Sequence, residues 1–199
     1  HGVNVVRQFR RNDKNVGSKV IMAMTLITTA TADDDATISF NSSIDSTYKL
    51  YIFKLIDINP ATDQMNFLFQ ANVAAASGYN ETITSTCFSA VHNESDGDAQ
   101  VGYVTTRDQA QGTAFQPIAP DIGNGADESA AGTLWLFNPS STTYVKHWYS
   151  RVQTYNQGGD YAQDFFAVGY FNVTGAIDDV QFKSESGNFD GTIKMYGVG

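Results

Sequence analysis

The chain has 199 residues, a formal net charge of −9 and 13% aromatic residues, with four prolines and one cysteine. This length suffices for one domain that buries roughly 70% of the surface its unfolded chain exposes. The single cysteine excludes an internal disulfide and a zinc site built on several cysteines. No run of 18 apolar residues is present, so neither a membrane-spanning helix nor membrane insertion is expected.

The first segment of the chain, residues 1–19, is basic. It has a charge of +4, which leaves −13 on the remaining residues. We predict that 1–19 is an N-terminal arm or linker and that 20–199 is a single domain. The arm could anchor the chain on an acidic neighbour, with a solvated terminus as the equal alternative. The acidic remainder argues against nucleic acid as a partner, because phosphate binding requires a basic surface. The anchoring candidates are Arg7, Arg10, Arg11, Lys14 and Lys19.

Strand-like segments follow from residue 20 to the end, and no segment keeps a helical apolar period for three turns. Apolar and polar residues alternate in 38–40, 67–73, 180–185 and 192–196, which predicts strands with one face on a core. Four segments are apolar on both faces, which predicts central strands or strands whose outer face another chain covers. They are 20–28, 48–58, 134–137 and 165–171. The Gly/Ala/Asp-rich stretch 118–132 predicts an exposed loop. The fold predicted is all-β, an antiparallel β-sandwich of jelly-roll type with about ten to twelve strands.

Two features lie between residues 83 and 98. Cys87 occupies the strand-like segment TITSTCFSA, so we expect it to be buried and unreactive. His92, Glu94, Asp96 and Asp98 recur with a period of two, and on a continuing strand their side chains could hold Ca²⁺. The residues between them are Asn, Ser and Gly, which is the composition of a solvated loop. We favour the loop, and no cofactor is expected.

Aromatic and basic residues concentrate near residues 135–151. If 144–151 is a strand, His147, Tyr149 and Arg151 share one face while Lys146 and Trp148 share the other. Residues of these types are enriched in protein interfaces, and aromatic side chains also bind glycans. We favour a subunit interface and keep glycan binding as the alternative. The candidates for either role are Trp135, Tyr144, His147, Trp148, Tyr149 and Arg151.

Hydrolase motifs are missing from the sequence. Neither G-x-S-x-G nor H-E-x-x-H occurs, and His92 and His147 lie in no motif that supplies a catalytic partner. Adjacent acids at 127–128 and 178–179 could serve a glycosidase, which requires two carboxyls across a cleft. We expect no enzymatic activity, with a secreted glycosidase as the second alternative.

Five strings of the sequence, in order, resemble β-rich virion structural proteins of tailed bacteriophages, particularly those of marine bacteria and cyanobacteria. They are 44–48 (IDSTY), 59–63 (NPATD), 136–141 (LFNPSS), 146–151 (KHWYSR) and 191–197 (GTIKMYG). The resemblance spans about residues 20–199. It implies a component of the virion surface, outside the cell, such as a tail fibre, a tail-associated protein or a capsid decoration, without an active site. The partners it implies are other copies of the chain and other virion proteins, with a host surface glycan as the alternative.

Overall fold

In the computed structural model the described residues are 23–156 and 158–199, and they form thirteen strands. None of these described residues is helical. Every strand pairing is antiparallel, which confirms the prediction of an antiparallel all-β fold. The strands are β1 (Met24–Asp35), β2 (Ile38–Phe40), β3 (Leu50–Pro60), β4 (Met65–Val73), β5 (Ile83–Asn93), β6 (Ala99–Tyr103), β7 (Ala110–Gly112), β8 (Gln116–Ile122), β9 (Ala130–Phe137), β10 (Lys146–Asn156), β11 (Tyr161–Phe171), β12 (Ile177–Ser184) and β13 (Phe189–Val198).

The sheet is nearly closed into a barrel. Its strands pair in the order β1-β13-β3-β9-β10-β8-β4-β12-β2, and the end strands β1 and β2 lie near each other. One side of β10 pairs with β9 along most of its length and with β8 only where Asn156 lies opposite Ile122. The other side of β10 pairs with β11, β11 pairs with β5, and β5 carries β6 and β7 on its outer edge.

Inward side chains of these strands fill one apolar core. Phe182 on β12 is fully buried at its centre, because strand alternation directs it between the two sides of the sheet. Its ring centroid lies 5.3 Å from that of Phe53, 6.0 Å from that of Phe40 and 6.1 Å from that of Phe67. Phe69 extends this aromatic group to β10 and β11. The alternating segments predicted from the sequence therefore do direct their apolar side chains into a core.

Three of the segments predicted to be apolar on both faces are interior strands. β3 lies between β13 and β9, β9 lies between β3 and β10, and β11 lies between β10 and β5. Residues 24–28 of the fourth segment, 20–28, belong to β1, and the prediction of a central strand is wrong for them; that another chain covers their outer face stays a prediction. This strand lies at the end of the paired order, and Met24 and Leu26 are about half exposed. Residues 20–22 are outside the described residues.

The predicted exposed loop at 118–132 is also wrong in its extent. Ile118, Ala119 and Ile122 are buried on β8, and Ala130 is buried at the start of β9. The loop is confined to 123–129. Prolines at 117 and 120 and several small residues conceal the strand alternation here, although alanines fit readily into a packed interior.

Candidate functional site

Four aromatic rings stack in a row on the outer face of the sheet, and we call them the aromatic ladder: Trp135 on β9, Tyr149 on β10, Phe166 on β11 and Phe88 on β5. Successive centroids are 4.4, 6.1 and 4.9 Å apart, with interplanar angles of 21°, 21° and 28°. The pairing register produces this row, since Trp135 lies opposite Tyr149 and Phe166 lies opposite Phe88. Phe137 on β9 also stacks on Tyr149 beside this row, with ring centroids 5.7 Å apart.

The rings of the ladder cover one another. Stacked neighbours occupy the ring faces, so the two inner rings, Tyr149 and Phe166, direct mainly their edges towards solvent. Ile52, which faces outward on β3 directly opposite Trp135, is only 8% exposed. A sugar that stacks on an aromatic residue requires a free ring face. The inner part of the ladder therefore suits packing against protein better than it suits a sugar ring.

At its β5 end the ladder is uncovered. Phe88 is 45% exposed, and beside it on β6 Tyr103 and Val101 are 55% and 73% exposed. Tyr103 lies directly opposite Phe88, and Val101 lies opposite Ala90 on the same outer face. We call Phe88, Val101 and Tyr103 the edge patch. Exposed apolar side chains that adjoin in this way make the edge patch a candidate contact surface.

Charged residues border the ladder. The guanidinium of Arg151 donates to the Asp164 carboxylate, with Nε 3.0 Å from Oδ1 and Nη2 2.7 Å from Oδ2. Hydrogen bonds to Asp164 raise the pKa of Arg151. At the other end Lys54 Nζ lies 5.9 Å from the centre of the Trp135 ring and donates to Thr133 Oγ1 at 3.0 Å. The exposed ion pair of Arg151 with Asp164 orients both side chains and contributes little to stability.

A shallow depression of about 290 Å³ adjoins the ladder. Val168 on β11 lines it and lies opposite Tyr149 on β10 and Thr86 on β5. His147 and Tyr170 form one wall, with their ring centroids 6.1 Å apart. The side chains of this depression offer imidazole and hydroxyl groups next to aliphatic surface, which is the composition of a site for a small polar ligand.

The outer face brings together four of the six interface or glycan candidates: Trp135, His147, Tyr149 and Arg151. Tyr144 is 68% exposed but precedes β10. Trp148 is a wrong candidate, because it is 1% exposed and packs in the core at 4.9 Å from Phe69.

Lys146 shares the inner face of β10 with Trp148 and is fully buried. Its Nζ donates to the carbonyl oxygens of Tyr144 at 2.7 Å and of Val173 at 3.3 Å. Burial lowers the pKa of the Lys146 amine. The chain therefore keeps an amine inside the fold by supplying backbone oxygens in place of water.

The acidic residues proposed as a weak cation site lie where β5 turns into β6. His92 Nε2 is 3.0 Å from Asp96 Oδ1, whereas Asp98 Oδ2 accepts a hydrogen bond from the Tyr161 hydroxyl at 2.8 Å. Glu94 is exposed in the turn. Among residues 23–156 and 158–199, no three His, Cys, Asp or Glu side chains form a group that could hold a metal ion. The favoured interpretation, a solvated loop, agrees with this turn.

Cys87 is buried, as predicted. Its Sγ lies 3.5 Å from the carbonyl oxygen of Arg107 and 3.7 Å from Nε2 of Gln116. Burial, reinforced by the charge of Asp108, raises the pKa of the thiol to about 12. A thiol in this state is a poor nucleophile at neutral pH.

Asp127 and Glu128, one of the acid pairs considered for a glycosidase, line an open depression of about 450 Å³ with Asp57 and Asp190. Glu128 Oε2 accepts from the amide of Gly125 at 2.7 Å, and Asp190 Oδ1 accepts from another backbone amide at 2.7 Å. These bonds hold the surrounding loops, which is a structural role.

Phe88, Phe166, Val101 and Tyr103 were not among the sequence candidates. Their local signal is weak, because a single outward aromatic residue on a strand resembles any other. What makes them a surface is the register of β5, β6 and β11, of which β11 is distant in sequence from the other two.

The predicted anchoring residues lie outside the described residues; they are Arg7, Arg10, Arg11, Lys14 and Lys19. The described residues contain no helix with the length and apolarity needed to cross a membrane. Comparison of the chain with protein-family models, with curated proteins and with solved structures finds no match.

Proposed function

We propose that the chain is a non-catalytic structural component of a bacteriophage particle surface, where it acts through contacts with further copies of itself and with other virion proteins. The observation that carries the proposal is the edge patch, because Phe88, Val101 and Tyr103 expose apolar surface at the end of an aromatic ladder. The assignment to a virion surface, outside the cell, rests on the five strings that resemble phage virion proteins.

The proposed architecture is a jelly-roll-like sandwich. One layer contains β8, β4, β12 and β2, and the other contains the remaining strands. Support comes from the single residue pair, Asn156 with Ile122, that joins β10 to β8. A joint this narrow allows the two layers to face each other across the Phe182 cluster. Measured interlayer distances near 10 Å with aligned strands would support the sandwich, whereas continuous pairing of β10 with β8 would contradict it.

The function is tested on particles purified from cultures whose phage carries this sequence. Mass spectrometry should find the chain at a fixed number of copies per particle, and antibodies should label it on intact particles. A chain found only outside the particles would contradict the proposal. The arm is tested by deleting residues 1–19, which should weaken docking on particles and make the remaining docking less sensitive to salt. Normal docking of the truncated chain would contradict the role of the arm.

Glycan binding is the second candidate, and the depression beside the ladder favours it. His147 and Tyr170 can donate and accept hydrogen bonds at its wall, while Val168 supplies aliphatic surface. The isolated chain should then bind host surface polysaccharide, and His147→Ala with Tyr170→Ala should weaken this binding. Ser39→Ala, on the distant strand β2, is the matched control. If the His147→Ala, Tyr170→Ala double variant binds as tightly as the Ser39→Ala control, the depression is excluded as the glycan site.

A further inference from the structure

We infer that β6 pairs antiparallel with β6 of a second copy about a twofold axis through Val101, so that one sheet continues across the dimer. The inference rests on the proposed function, in which copies of the chain contact one another. It specifies the surface, the register and the symmetry of that contact.

β6 is an unprotected edge. Among the described strands its only partner is β5, and all five of its residues are exposed. Its sequence, AQVGY, contains no charged residue and no proline, and its pairing with β5 runs without a register shift. A β-carbon built on Gly102 would meet no atom within 4 Å, so the strand is open on its inner face as well. Natural edge strands are normally blocked by charges, prolines or bulges.

Two other edge strands of the sheet, β1 and β7, carry such protection. β1 has two register shifts against β13 and ends in three consecutive aspartates, 33–35. β7 has a register shift against β5, and Gln111 within it has φ of 57°. β6 therefore differs from β1 and β7 in the properties that decide whether an edge recruits another strand.

The free backbone groups of β6 belong to alternate residues. Val104 N donates to Cys87 O at 3.0 Å, and Asn93 N donates to Asp98 O at 3.0 Å. In an antiparallel ladder hydrogen-bonded pairs alternate with non-bonded pairs. Given the register from Phe88–Tyr103 to His92–Ala99, residues 100 and 102 exchange bonds with β5. The N–H and C=O groups of residues 99, 101 and 103 point away from β5, towards the open edge.

A twofold axis through Val101 uses all of these groups. Val101 then lies opposite Val101 of the second copy, and Ala99 lies opposite Tyr103, with each pair able to exchange two N–H···O=C bonds. Side-chain size matches in the same register, because Tyr103 faces Ala99, and Gln100 faces Gly102. The strand is uncharged although the chain carries −9, so pairing brings no charge of β6 against its equivalent. This self-complementarity favours a second copy as the occupant.

The area of the edge patch predicts a weak dimer. The exposed fractions are 45% for Phe88, 73% for Val101 and 55% for Tyr103. With ~150–250 Å² of total surface for a large side chain, the patch exposes on the order of 300 Å². A stable complex of standard size buries about 800 Å² on each partner. Pairing is thus expected at high local concentration, as on a particle surface that repeats the chain.

Sedimentation velocity of the full chain from about 1 μM to about 1 mM tests the inference over the range where so small an interface associates. The wild-type chain should shift from monomer to dimer. Two substitutions at Val101 should each weaken association at least ~10-fold. Val101→Lys places two lysines opposite each other across the axis. Val101→Pro removes an outward N–H that β5 does not use. Val101→Thr, and Ala36→Lys in the distant turn between β1 and β2, should dimerise like the wild type.

Amide hydrogen exchange supplies a second readout that is independent of these substitutions. Protection should rise with protein concentration at Ala99, Val101 and Tyr103, while Gln100 and Gly102 should be protected at every concentration by their bonds to β5. A wild-type chain that stays monomeric, or a dimer that Val101→Lys and Val101→Pro leave intact, would overturn β6 pairing. Neither result removes the chain from the particle, so the labelling experiment tests the proposed function separately.

Discussion

Replacing Phe182 by alanine tests whether the core lies where the structure places it. Phe182 is fully buried and its ring contacts the rings of Phe40, Phe53, Phe67 and Phe69. A buried Phe→Ala substitution costs about 3–5 kcal/mol. Because four aromatic neighbours lose their partner, we expect about 4 kcal/mol or more, out of a total of about 5–15 kcal/mol for a typical domain.

A chain of this length loses about 2–4 °C in Tm for each kcal/mol, so Phe182→Ala should lower Tm by about 8–16 °C. Urea unfolding followed by circular dichroism gives the free energy directly. Phe88→Ala is the matched control, because Phe88 is 45% exposed and should cost only about 1 kcal/mol. If the two substitutions cost the same, the aromatic group around Phe182 is not the centre of the core.

Three further outcomes are expected. Cys87, with its pKa raised to about 12, should react with a thiol reagent only after denaturation, and rapid labelling of native protein would contradict its burial. Burial lowers the pKa of Lys146, so the folded state binds fewer protons than the unfolded state between the two pKa values. The stability of the wild type relative to Lys146→Met should therefore rise with pH until about 10.4, the unfolded value, and then level off; a flat difference would refute this. Chelator should leave Tm unchanged, because we expect no bound cation. A cation present at 100 times its Kd would stabilise the fold by about 2.7 kcal/mol, so a fall in Tm that calcium reverses would show a cation site.

Alternation along single strands was predictable from the sequence, because it is a local property with a period of two. Phe67, Phe69 and Phe182 were assigned to a core face on this basis, and all three are buried. The same reasoning placed Lys146 and Trp148 on one face of β10. It could not decide which face was inward, since a lysine suggests solvent and a tryptophan suggests a core. The face of β10 that carries both residues is inward, and two backbone carbonyl oxygens accept hydrogen bonds from the buried Lys146 amine. One of them belongs to Val173, which only the fold brings next to Lys146.

Only part of the candidate surface was predictable from the sequence, because the rest depends on the register between strands. Trp135 and Tyr149 attract attention because they are large and amphipathic, but their stacking depends on β9 and β10 being in one register. Phe166 on β11 and Phe88 on β5 complete the ladder, and β5 lies far from β9, β10 and β11 in sequence. No local pattern contains that register, which is set by the packing of whole strands.

The ladder also changes where contacts between copies are expected. The sequence alone suggested that apolar strands such as β3 and β11 expose more surface than one sandwich can cover, so that whole faces of the sheet would pack together. Neighbouring strands are about 4.8 Å apart, close to the spacing at which rings stack, so the ladder covers much of that surface within one chain. Apart from Tyr144, the large apolar side chains that stay exposed in the described residues lie near the sheet edges, namely Phe88, Val101 and Tyr103 on one side and Met24 and Leu26 on β1. Copies of the chain should therefore meet edge to edge, with the Tyr103 ring of each copy packed on Ala99 and Val101 of the other.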